Sequence, residues 1–104
     1  MKRKKKSLQQ PIAYGVAWFN EEDWARLLEI SNDRDTLENS HSEWLRYAEE
    51  TVRKLDKQGL EIQKVTVVPD ELLSWCNERS IPVDGEARTG YVCYRMQQED
   101  SEGV

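Results

Sequence analysis

A short apolar run followed by an acidic helix start occurs twice in this chain, and that layout constrains its fold more than any other feature. Val16-Ala17-Trp18-Phe19 leads into Asn20-Glu21-Glu22-Asp23-Trp24, and Val65-Thr66-Val67-Val68 leads into Pro69-Asp70-Glu71-Leu72. β-Branched and aromatic residues favour an extended, half-buried backbone. Carboxylates in the first helical turn face the partial positive charge of the helix N-terminus. Each of the two helices closes on Ser, at Ser31 and Ser80, and a second helical stretch follows each. The chain reads as a β-α-α unit used twice. Identities between the two windows are confined to Val16/Val65, Glu22/Glu71, Glu29/Glu78 and Ser31/Ser80, so pattern is repeated more than sequence. Stacked solenoids need three or more repeats, and two point instead to a closed, pseudo-symmetric unit.

The individual elements follow from spacing and caps. Ile12 to Phe19 has strand length and composition. Asn20 is placed to cap a helix whose buried face is Trp24, Leu27, Leu28 and Ser31. Ser40 and Glu43 have capping-box spacing, and Gly59 suits the left-handed stop of the helix they open. That helix carries Leu45, Ala48, Val52 and Leu55 on one face, widened by Trp44 and Tyr47. Glu61 to Val68 is the second strand, Pro69 the first position of the third helix, and Asp84 the cap of a fourth through about Gln97. The expected fold is α/β of the α+β type, ordered β-α-α-β-α-α. If every helix reverses direction, the second strand runs opposite to the first. The expectation is therefore two antiparallel strands packed against four helices. The open edges of such a sheet invite a second copy of the chain.

At 104 residues the chain is one domain. We expect a disordered basic tail over 1–10, a globular domain over 11–98 and an acidic flexible end over 99–104. A chain of this size buries only ~60–65% of the surface it exposes unfolded, so the four Trp and four Tyr belong mostly to the core. No apolar run approaches the ~20 residues of a membrane span, and no apolar signal core follows the basic start. The expected location is cytoplasmic, with Cys76 and Cys93 as reduced, buried thiols. Five of the fifteen Lys/Arg lie in Lys2–Lys6, which leaves ten against twenty Asp/Glu in the body. An acidic body repels phosphate backbones and attracts basic partners.

No residue set marks a reaction. The only His, His41, begins a helix, and Cys76 reads as a core position, so no catalytic residues are assigned. The loop Asn32 to Glu38 alternates oxygen ligands but lacks the glycine of a calcium loop and carries Arg34 among its carboxylates. No metal site and no cofactor are expected, and the glycine-rich phosphate motifs are absent. The candidate partner-binding residues are Arg88, Tyr91, Val92 and Arg95, at i, i+3, i+4 and i+7 on the fourth helix, with Trp44 and Trp75 as aromatic anchors. Asp33, Asp35 and Glu38 form a candidate acidic patch for a basic partner.

Trp18-Phe19 before Trp24, Glu43-Trp44-Leu45, Trp75-Cys76, and Asp84 with Ala87-Arg88 together resemble a group of small bacterial proteins to which no activity has been assigned. The resemblance spans residues 16–92. It implies a bacterial, cytosolic origin and offers no catalytic residues to carry over. The expected function is a non-enzymatic module that binds a protein partner or a second copy of itself, with no membrane and no nucleic acid. The alternatives are an acidic, antitoxin-like inhibitor covering a basic nucleic-acid-binding partner, and a nucleic-acid accessory using Lys2–Lys6.

Overall fold

Local signals place the secondary structure close to where the sequence puts it. The structure, a computed structural model, describes residues 13–102, with no side chains beyond residue 98. The expected basic tail and the side chains of the expected acidic end lie outside the described residues. The elements are β1 (Tyr14–Trp18), a 3-10 turn (Glu21–Asp23), α1 (Trp24–Ile30), a second 3-10 turn (Arg34–Thr36), α2 (His41–Lys57), β2 (Ile62–Thr66), α3 (Pro69–Glu78) and α4 (Gly85–Glu102).

The caps explain these boundaries. Ser40 Oγ accepts the Glu43 N–H at 3.2 Å and opens α2. Gly59, at φ +86°, closes it. The Gly59 N–H donates to the Asp56 carbonyl and the Leu60 N–H to the Leu55 carbonyl, which is the Schellman closure that a left-handed residue permits. Asp84 Oδ1 accepts the Ala87 N–H at 2.9 Å and starts α4. Asn20 makes no such side-chain bond, and the chain enters α1 through the 3-10 turn instead.

The strands pair parallel, with Tyr14 opposite Ile62 and Trp18 opposite Thr66, which overturns the expected antiparallel sheet. The reversal argument fails at residues 20–40. This segment leaves the end of β1 and returns to it. His41 Nε2 lies 2.8 Å from the Phe19 carbonyl, so the ring donates there, and Trp24 Nε1 donates to the Glu38 carbonyl at 3.2 Å. α1, with seven residues, packs on α3 and does not carry the chain along the sheet. α2, about 25 Å long by its seventeen residues, is the one element between the strands that spans from one end of the sheet to the other. A single spanning element between two strands makes them parallel.

The core is assembled from both halves. Phe19, Trp24, Leu27, Val65, Val67, Leu72, Cys76, Val83, Ala87, Tyr91 and Val92 form one buried cluster. α4 crosses β1 at Gly15, where a Cβ would collide with Met96 Sδ and lie 2.8 Å from Val92 Cγ1. Glycine at this position lets the helix sit directly on the strand.

Candidate functional site: a cleft beside the edge of β1

Small side chains on one parity of β1 bring α4 close onto the strand, and a cleft opens beside that contact. Alternate strand residues face the same side, so Ala13, Gly15, Ala17 and Phe19 floor a common surface. Along α4, Gly85, Arg88, Thr89, Val92, Cys93 and Met96 recur at helical spacing and overhang it. Between them lies a cleft of about 430 Å³, bounded at its upper end by Trp24, Leu37 and Trp44. The aromatic end wall is tightly packed. Trp24 stacks on Trp44 at 5.5 Å between ring centroids, and Phe19 meets both rings edge-on at 5.9 and 5.4 Å.

Among the described residues one charge lines the cleft, and it is neutralised in place. Arg88 grips Asp33 with both terminal nitrogens, Nη2 to Oδ2 at 2.6 Å and Nη1 to Oδ1 at 3.1 Å, and Nη1 also donates to Ser31 Oγ at 3.3 Å. The two side chains are 12% and 23% exposed, against 42% and 70% for Arg26 with Asp70, so solvent screens this pair far less. The Arg88 hydrogen bonds hold the Asp33 carboxyl below its ordinary value, outweighing the opposing effect of burial.

The strand itself offers a row of backbone groups. The Tyr14 N–H donates to the Glu61 carbonyl at 2.7 Å, and the Trp18 carbonyl accepts the Val67 N–H at 2.8 Å. By the parallel pattern, the even-numbered residues of β1 face β2, and Gly15 and Ala17 direct N–H and C=O to the outer edge. Those groups meet no partner among the described residues. The outer edge of β2 differs. Its Thr66 carbonyl accepts Arg95 Nη1 at 3.1 Å, and exposed Lys64 sits beside it with its ammonium 4.3 Å from the Trp18 ring centre.

The sequence candidates separate into three places. Arg88, Val92 and Trp44 line the cleft. Tyr91 and Trp75 line a second, shallower groove between α3 and α4, with Tyr94, Asp70, Glu71, Ser74 and Glu78. There the Arg79 guanidinium covers the Trp75 ring at 4.2 Å, and Trp75 Nε1 is buried with no acceptor among the described residues. Arg95 lies on β2, with its guanidinium 5.8 Å from the Tyr91 ring centre. Of the acidic trio, Asp33 is bound to Arg88, Asp35 is exposed, and the Glu38 carbonyl holds Trp24. Gly15, Ala17, Thr89 and Met96 were missed by sequence reasoning. The helical spacing from Gly85 to Met96 was the signal that marks this wall.

The thiols divide as well. Cys76 is fully buried, and burial, with the Asp84 charge second, pushes its thiol up. Cys93 is exposed on the cleft rim, contrary to the expectation of two buried thiols. Titration of the native protein with a chromogenic disulfide reagent should release one equivalent promptly and the second only on unfolding. Two prompt equivalents, or none, would contradict this arrangement.

Among the described residues, no three His, Cys, Asp or Glu side chains are grouped to hold a metal, and no helix is long and apolar enough to cross a membrane. No protein-family model, curated protein or solved structure matches the chain.

Proposed function

We propose that this protein is a non-enzymatic interaction module of the cytoplasm, whose cleft beside β1 holds an apolar segment of a protein partner. The observation that carries the reading is the composition of the cleft wall. It is built mainly from aliphatic and aromatic side chains, and the one cation among its described residues is already matched by Asp33. Such a wall recognises shape and apolar surface. The free thiol of Cys93 fits a reducing compartment.

Thr89 is exposed on the cleft wall, away from the buried cluster, so Thr89→Arg places a charge in the cleft without removing core volume. The expected result uses a photo-crosslinker attached to Cys93. The native chain captures a defined partner from host extract, and Thr89→Arg reduces that capture at least tenfold while the circular dichroism spectrum and melting temperature are retained. Equal capture by the folded variant removes the reading.

A further inference from the structure

Resting on that reading, we infer that the cleft takes its occupant as an added β-strand, an extended and uncharged partner segment with bulky apolar side chains at alternate positions, hydrogen-bonded to Gly15 and Ala17. Three features of the molecule converge on this mode.

The first is the pair of edges. Natural sheets protect open edges with charged side chains, above all lysine. β2 carries exposed Lys64 and has its Thr66 carbonyl occupied by Arg95. β1 reads Tyr14-Gly15-Val16-Ala17-Trp18, without a charge, and the outward groups of Gly15 and Ala17 have no partner among the described residues. An extended backbone repeats its N–H and C=O every second residue, about 6.6 Å apart, and matches the spacing of those two residues. Strand addition draws affinity from such main-chain bonds and specificity from alternate side-chain pockets.

The second is the overhang. α4 presents Thr89, Cys93 and Met96 over the cleft, beyond the small residues Gly15 and Ala17. A third strand beside β1 would lie beneath that helical face, with every second side chain directed into the cleft.

The third is charge. Arg88 is bound to Asp33 and Ser31, so an ionised side chain entering the cleft would find no counter-ion. Burying an unpaired charge is strongly disfavoured, which selects a neutral segment.

The same geometry disfavours a second copy as the occupant. Antiparallel pairing of two β1 strands about Val16 would set Gly15 against the partner's Ala17 on the cleft side. Between Ala13 and Phe19 only hydrogen and methyl groups would face the cleft, and the Phe19 rings at either end are committed to their own protomers' cores, so much of its roughly 430 Å³ would stay unfilled.

The test uses a capped Ser-Val-Thr-Val-Thr-Val-Ser peptide and two isomeric tri-N-methyl derivatives of it, one methylated on the three Val amides and the other on the two Thr amides and the C-terminal Ser amide. With the unmodified peptide at saturation, amide exchange at Gly15 and Ala17 is expected to slow at least tenfold. One isomer should lose affinity at least tenfold and the other bind as the parent does, because a strand added to one edge uses only one set of its amides. Unchanged exchange at both residues, or equal binding by the two isomers, overturns the inference. So does protection already present in the free chain, whether it vanishes on dilution (a second copy) or on removal of residues 1–10 (the chain's own tail). Capture of the partner through the cleft with no protection at Gly15 and Ala17 defeats strand addition alone. Loss of both defeats the module reading as well.

Discussion

Trp24→Ala is expected to lower the free energy of unfolding by about 3–5 kcal/mol in a urea titration. The indole is 4% exposed and sits where four other groups meet. It stacks on Trp44, meets Phe19 and His41 edge-on, and donates through Nε1 to the Glu38 carbonyl. Removing it opens the core into the neighbouring cleft and unties the return of the 20–40 segment to the end of β1. A domain of this size has a total stability of roughly 5–15 kcal/mol, so the variant should be largely unfolded by mild denaturant. Trp24→Phe keeps an aromatic ring but leaves the Glu38 carbonyl unpaired, with an expected cost of about 1–3 kcal/mol. A cost below 1 kcal/mol for Trp24→Ala would contradict the placement of this ring at the junction.

Breaking the pair between Arg88 and Asp33 should have the second-largest effect. Asp33→Asn and Arg88→Met are each expected to cost about 1.5–3 kcal/mol at neutral pH, the range for hydrogen bonds to charged groups. The double variant should cost less than the two singles together, because the second substitution removes a charge already left without its partner. The pH dependence has a definite sign. Folding lowers the Asp33 pKa, so this group's contribution is complete above the unfolded aspartate value of about 3.9 and is lost as pH falls through the lower folded value. Unfolding curves from pH 6 down to pH 2 should show a shallower decline for Asp33→Asn than for the native chain. Parallel declines would mean that the pair contributes nothing to acid sensitivity.

The elements were legible in the sequence because their signals are local. Ser40 and Glu43, Gly59, Pro69 and Asp84 mark helix ends through bonds spanning a few residues. Strand direction was not legible, because it turns on whether residues 20–40 span the sheet or fold back at one end. The bond from His41 to the Phe19 carbonyl settles this, and it joins residues 22 positions apart with no sequence mark at either. The site was half legible for a related reason. Arg88, Val92 and Trp44 carry side chains that invite attention, and all three line the cleft. Tyr91 shares the helix of Arg88 and Val92 but turns toward Trp75, where the rings meet at 5.5 Å. Gly15 contributes backbone and a close approach to α4, and Ala17 a single methyl group, which a search for reactive side chains passes over.

The excursion between Phe19 and His41 begins and ends at one corner of the strand–helix–strand frame. Its two ends already touch, so chain added at its tip would change loop-closure entropy only slowly with length, by about 0.6 kcal/mol per doubling. The turn Arg34–Thr36 at that tip is exposed, while the flanking Asp33 and Leu37 reach Arg88 and the cleft. Chain inserted within Arg34–Thr36 that keeps Asp33 on Arg88 and Leu37 on the cleft would leave the sheet in register, which makes this turn a point for grafting an epitope or a fluorescent tag.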